Sequence, residues 1–87
     1  MQALDGVALL QGDLVLDRAT RLLAEGEAAI EAGARAFDLA GVGRVDSSAL
    51  SLLLSLRRRA GAEDLRFDNI PDSLISLAKL YGIAELL

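Results

Sequence analysis

Residues 36–56 read Ala-Phe-Asp-Leu-Ala-Gly-Val-Gly-Arg-Val-Asp-Ser-Ser-Ala-Leu-Ser-Leu-Leu-Leu-Ser-Leu, and the fold turns on this stretch. Ala36–Ala40 is short and apolar, as a buried strand should be. Gly41-Val42-Gly43 reads as a Gly-spaced turn. From Asp46 onward the pattern changes to a leucine-rich helix that runs to about Ala60 and stops at Gly61. Asp46 or Ser47 caps that helix, since either side chain accepts the unpaired first-turn N–H groups, and a carboxylate meets the positive end of the dipole. Ser47 and Ser48 then stand on the surface of a rigid strand–helix junction. Such a place suits a docking partner or a phosphate.

Working outward, Gly6 to Leu16 is apolar with a break at Gln11-Gly12-Asp13. It reads as two short strands or one bent pair. Asp17 is positioned to cap a helix over 18–32, with Ala19, Leu22, Leu23, Gly26 and Ile30 on one face and Gly33 as its stop. Leu65 to Ile70 is a further strand, with Leu65 and Phe67 on one face. Pro71 and Asp72 open a last helix, lined on one side by Leu74, Leu77, Ala78 and Tyr81 and ended by Gly82. The order is β-β-α-β-α-β-α. It predicts a single α/β domain over 1–87, with about four strands in a sheet parallel in part and three helices mainly on one face.

Composition narrows the chemistry. The chain has 87 residues, 53% of them hydrophobic, so one small core is within reach. There is no Cys and no His, which removes thiol chemistry, disulfides, imidazole catalysis and the usual zinc site. The net charge of −4 argues against nucleic acid, whose binders carry a basic face. No apolar run approaches the ~20 residues that cross a bilayer, and no signal peptide is visible. A cytoplasmic protein is expected. Arg57-Arg58-Arg59 falls late in a helix, where cations complement the dipole.

No catalytic set emerges. Asp38 and Asp46 flank the junction, but a carboxylate pair needs a cleft and a second functional group. Asp46 reads as a turn and cap residue, Asp38 as a strand-end residue bonded to the following loop. Ser47 and Ser48 lack a base to activate them. Gly41-Val42-Gly43 is too short to cradle a phosphate. No enzyme, cofactor or metal site is expected.

The second helix has one polar stripe. Ser48, Ser51, Ser55 and Arg59 recur at spacings of three and four. Small hydroxyl side chains make a shallow surface that another protein can approach closely. Asp46, Ser47, Ser48, Ser51, Leu52 and Ser55 are the expected interface, with Leu52 as an exposed anchor and Arg58 or Arg59 at the rim. The plain alternative is the solvated side of an amphipathic helix, although such sides are usually rich in Glu and Lys. A phosphate on Ser48 would add about −1.5 to −2 charge in the stripe and oppose a partner that buries it. The competing reading of Ser48 is an unmodified helix-capping serine.

These residues carry a resemblance. Gly12-Asp13-Leu14 sits where STAS domains, the fold of anti-sigma-factor antagonists, often have Gly-Glu-Leu. Phe37-Asp38-Leu39, Val42 and Val45-Asp46-Ser47-Ser48-Ala49-Leu50 resemble the central STAS pattern, with Ala49 in place of its usual Gly. Ser76-Leu77-Ala78-Lys79-Leu80-Tyr81-Gly82-Ile83 is similar to the small cytoplasmic STAS subunit of the Mla-type ABC system, which moves phospholipids to maintain outer-membrane lipid asymmetry. That resemblance implies a STAS-like fold and a non-catalytic subunit that binds the transporter's ATPase. It also implies a role for the hydroxyl of Ser47 and attachment to the inner membrane only through the complex. The sigma-regulating branch implies instead a kinase-type anti-sigma factor as partner and phosphorylation of Ser48. Both hydroxyls are present, so this motif leaves the two branches open.

Overall fold

The computed structural model describes residues 1–61 and 64–87. Six strands and three α-helices run in the order β1 (Ala3–Leu4), β2 (Val7–Leu9), β3 (Gly12–Leu14), α1 (Leu16–Glu31), β4 (Ala36–Asp38), β5 (Val42–Val45), α2 (Ser47–Ala60), β6 (Arg66–Asp68) and α3 (Asp72–Leu80). A 3-10 turn over Ala84–Leu86 follows. β1, β2, β4 and β6 form a four-stranded mixed sheet in that order. β1 pairs antiparallel with β2, while β2–β4 and β4–β6 are parallel. The α/β architecture is therefore the expected one, with a mixed sheet and three helices.

Alternation along the strands decides which face is covered. Ala8, Phe37 and Phe67 lie side by side across β2, β4 and β6 and are buried. They join Leu22, Leu53, Leu56, Leu74 and Ala78 of the helices in one core. Phe37 and Phe67 meet at 6.3 Å between ring centroids. α1 and α2 pack tightly enough that a β-carbon on Gly26 would lie 2.6 Å from a Leu56 methyl. Glycine at that point is a requirement of close helix packing.

Four features depart from the sequence expectation. The N-terminal hairpin β1–β2 was not foreseen. Its turn is Asp5-Gly6, with φ of 54° and 80°, the left-handed pair that a two-residue hairpin of this kind demands. Of the segment read as a Gly-spaced turn, Gly41 does lie in a turn with Ala40, but Val42 and Gly43 begin β5, which pairs parallel with β3 in a second, two-stranded sheet. Here the backbone of Gly12 bonds to Gly41, and Asp46 N–H to the Leu14 carbonyl at 3.2 Å. Pairing with β3 overrides the turn propensity of Gly43.

The third correction concerns α1. It begins at Leu16, two residues earlier than expected, and Asp17 is not its cap. Val15 occupies the N-cap position and supplies no side-chain hydrogen bond. α3 also ends before Tyr81, so that side chain leaves the core and is 58% exposed. Leu74 and Ala78 remain its buried face. Among the described residues, no helix is long and apolar enough to cross a membrane.

Candidate functional site

The site is the start of α2 and the surface it shares with α1 and α3. Asp46 follows β5 directly in extended conformation and is the N-cap of α2; its side chain accepts the Ser48 N–H. That bond is 2.9 Å long, to Oδ1, and the Ser48 hydroxyl donates to the same oxygen. Oδ2 accepts the backbone N–H of Leu16 at 3.1 Å. One carboxylate thus caps α2 and, across the fold, α1. The Ser48 hydroxyl, followed by the Leu16 amide, holds the Asp46 pKa below its ordinary value of 3.8. The site carries a fixed negative charge at two positive helix ends.

The two hydroxyls are therefore unlike. Ser48 is half-buried and tied to Asp46, whereas Ser47 is exposed. Among the described residues, no hydrogen bond engages the Ser47 side chain. Ser51 is exposed and Ser55 half-buried. The Arg58 guanidinium donates to Ser55 Oγ at 3.1 Å, which places it beside the stripe.

Leu52 is a correction. It is only 4% exposed and belongs to the core cluster. Leu52 comes four residues after Ser48 and three before Ser55, so it borders the stripe and lines the same groove, but it packs into the core at the edge where α1 meets α2. It is no surface anchor. Arg59, exposed beside the stripe, ion-pairs with Glu31 and Glu27 of α1. Arg57 points inward, donating to the Leu65 carbonyl at 2.7 Å and lying 4.7 Å from the Phe67 ring centre. The three adjacent arginines thus serve three different ends.

Two shallow grooves flank the serines. One runs between α1 and α2 past Leu16, Thr20, Leu23, Ser48, Ser51 and Ser55. The other lies between α2 and the C-terminal segment, past Ser47, Leu54, Tyr81 and Ile83. Leu16 is 72% exposed. Leu16 and Tyr81, rather than Leu52, are the exposed apolar groups beside the stripe. Sequence reading missed both because Leu16 looked like a strand end and Tyr81 fell on the helical core period. The positive-φ Gly82 just after Tyr81 was the available signal that the helix stops short of it.

Asp38, at the end of β4, is a structural group. It accepts from Asn69 Nδ2 at 3.0 Å and from the Ala40 N–H at 2.9 Å, and these bonds, Asn69's first, lower its pKa. Among the described residues, no group of three or more acidic side chains is arranged to hold a metal.

A mixed sheet backed by three helices, with hydroxyls presented at a helix start between two shallow grooves, is the build of a protein-interaction module. The chain belongs to the STAS domain family: the family model described as "Mlab, STAS domain" matches residues 3–87. The anti-sigma factor antagonist SpoIIAA in its unphosphorylated form has a similar fold. The TM-score is 0.67 at 22% identity, over 92% of this chain and 74% of that one. No curated protein gave a significant match.

Proposed function

We propose that this chain is the non-catalytic subunit of an Mla-type ABC transporter that binds and supports the ATPase, in a system that moves phospholipids to keep the outer membrane asymmetric. The observation that carries this reading is the exposed Ser47 hydroxyl at the start of α2, in a chain matched along residues 3–87 by the MlaB-type STAS model. A hydroxyl without an internal partner can donate to or accept from a docked protein at little cost. Ser51, Ser55 and Arg58 continue the contact, and Leu16 and Tyr81 flank it with apolar surface. The chain reaches the inner membrane through the ATPase and needs no cofactor.

The competing reading is an anti-sigma-factor antagonist controlled by phosphorylation of Ser48. Its support is the SpoIIAA-like fold and the position of Ser48 beside the docking grooves. The two readings differ in which hydroxyl matters. Under the transporter reading, Ser47→Ala lowers recovery of the complex with the ATPase, or its ATP hydrolysis, while Ser48→Ala has the smaller effect. Copurification from native membranes and outer-leaflet lipid defects in the two variants measure this. If neither variant alters lipid asymmetry and a kinase-type partner phosphorylates Ser48, the signalling reading replaces it.

A further inference from the structure

We propose that the Asp46 carboxylate couples the chemical state of Ser48 to the N-terminus of α1, so that modification of one wall of the α1–α2 groove is felt at the other. This deepens the serine-pair reading and rests on it only for where a modification would come from. The coupling itself is a property of the isolated chain.

The geometry is specific. α1 has no side-chain cap of its own. Its Leu16 N–H is satisfied by Asp46 Oδ2, from 30 residues away in sequence. The other oxygen of the same carboxylate takes both the N–H and the hydroxyl of Ser48. A carboxylate is a small rigid plane, so Oδ1 cannot be displaced without moving Oδ2. Leu16 is also an exposed wall of the groove that Ser48 lines from the opposite side.

Phosphorylation attacks this arrangement at Oδ1. Ser48 Oγ would bond to the terminal phosphorus of a nucleoside triphosphate. The diphosphate would leave with the electrons of the broken anhydride bond, and the hydroxyl proton would pass to solvent. The donor to Asp46 is then gone. About −1.5 to −2 charge stands beside the carboxylate, and the phosphate oxygens compete for the Ser48 N–H. Asp46 swings away, and Leu16 loses the cap that its carboxylate supplies. The start of α1 frays, and with it the leucine side chain that a partner would meet.

Amide hydrogen exchange on the full-length chain tests this, with Leu16 read relative to the core residue Leu53. In Ser48→Glu, Leu16 should exchange about tenfold faster than in the native chain, the size expected for loss of a helix cap, with Leu53 unchanged. Ser48→Ala removes the hydroxyl but adds no charge, and Leu16 should stay within about twofold of native. Asp46→Asn keeps one acceptor oxygen in place of two. It should speed Leu16 by itself, and Ser48→Glu should then add nothing, because both changes act through one group. Unchanged Leu16 exchange in Ser48→Glu, equal acceleration of Leu16 and Leu53, or additive effects in the double variant would each overturn the coupling. None of these results bears on which partner binds, which recovery of the ATPase complex decides separately.

Discussion

Asp46 is the residue on which most of the local structure depends, and its charge makes that dependence visible in pH. Its folded-state pKa lies below the unfolded value of 3.8, as does that of Asp38. A group with a depressed folded pKa stabilises the fold above its unfolded pKa, and that contribution is lost as pH falls through the folded value. The native state should therefore hold constant through neutral and mildly acidic pH and weaken below about pH 4. Urea unfolding midpoints measured at pH 6 and at pH 3 check this, and Asp46→Asn should reduce the difference between them. Leu52 belongs to the same scale. Because it is buried, Leu52→Asp should cost several kcal/mol of folding stability, on the order of the penalty for an uncompensated buried charge. Denaturant unfolding of the isolated chain would show it. Leu16→Asp, by contrast, should leave that stability within about 0.5 kcal/mol, as for other surface changes.

Between elements, the contact of α1 with α2 is the tightest. Gly26 lies against Leu56, and Leu56 has no exposed surface into which to move. Gly26→Leu should therefore destabilise by roughly 1–3 kcal/mol through overpacking, in spite of the better helix propensity of leucine. A thermal or urea melt would measure the loss, and an unchanged midpoint would place the helices farther apart than described. Arg57 performs a related task between α2 and β6. Its guanidinium bonds to the Leu65 carbonyl while lying against Phe67. Arg57→Lys retains the charge but not the planar fork, and should still cost about 1 kcal/mol. By the same test, Arg58→Lys at the surface should cost little.

At the scale of the molecule, the covered and open faces of the sheet have different uses. Helices bury the face with Ala8, Phe37 and Phe67. On the other face, Val7, Ala36 and Arg66 lie in register, as do Leu9, Asp38 and Asp68. Arg66 and Asp68 pair there at 2.7 Å, an exposed contact worth little to stability. The proposed partner contact lies instead on the helical side, where α1, α2 and the segment after α3 bring two grooves to one serine stripe. Leu53, wholly buried at the centre of that layer, should cost about 2–5 kcal/mol on truncation to Ala. Calorimetric melting would detect it as loss of the whole fold, as expected for a small domain with one core.

Much of this molecule is local and could be read from its chain. The switch from a strand beginning at Ala36 to a helix beginning beside Asp46 is written in short-range chemistry: apolar run, capping carboxylate, leucine period. The same holds for the stop of α2 at Gly61 and for the serine spacing that defines the stripe. What the tertiary structure decided was every feature that depends on a neighbour distant in sequence. β5 is a strand because β3 lies beside it. Leu52 is buried because α1 packs against α2 along the edge of the stripe on which it lies. Arg59 is drawn to the acids of α1, and Asp46 serves a second helix whose start lies 30 residues earlier. Periodicity fixes which residues share a face. Only packing fixes what that face meets, because burial is a relation between segments and no single segment encodes it.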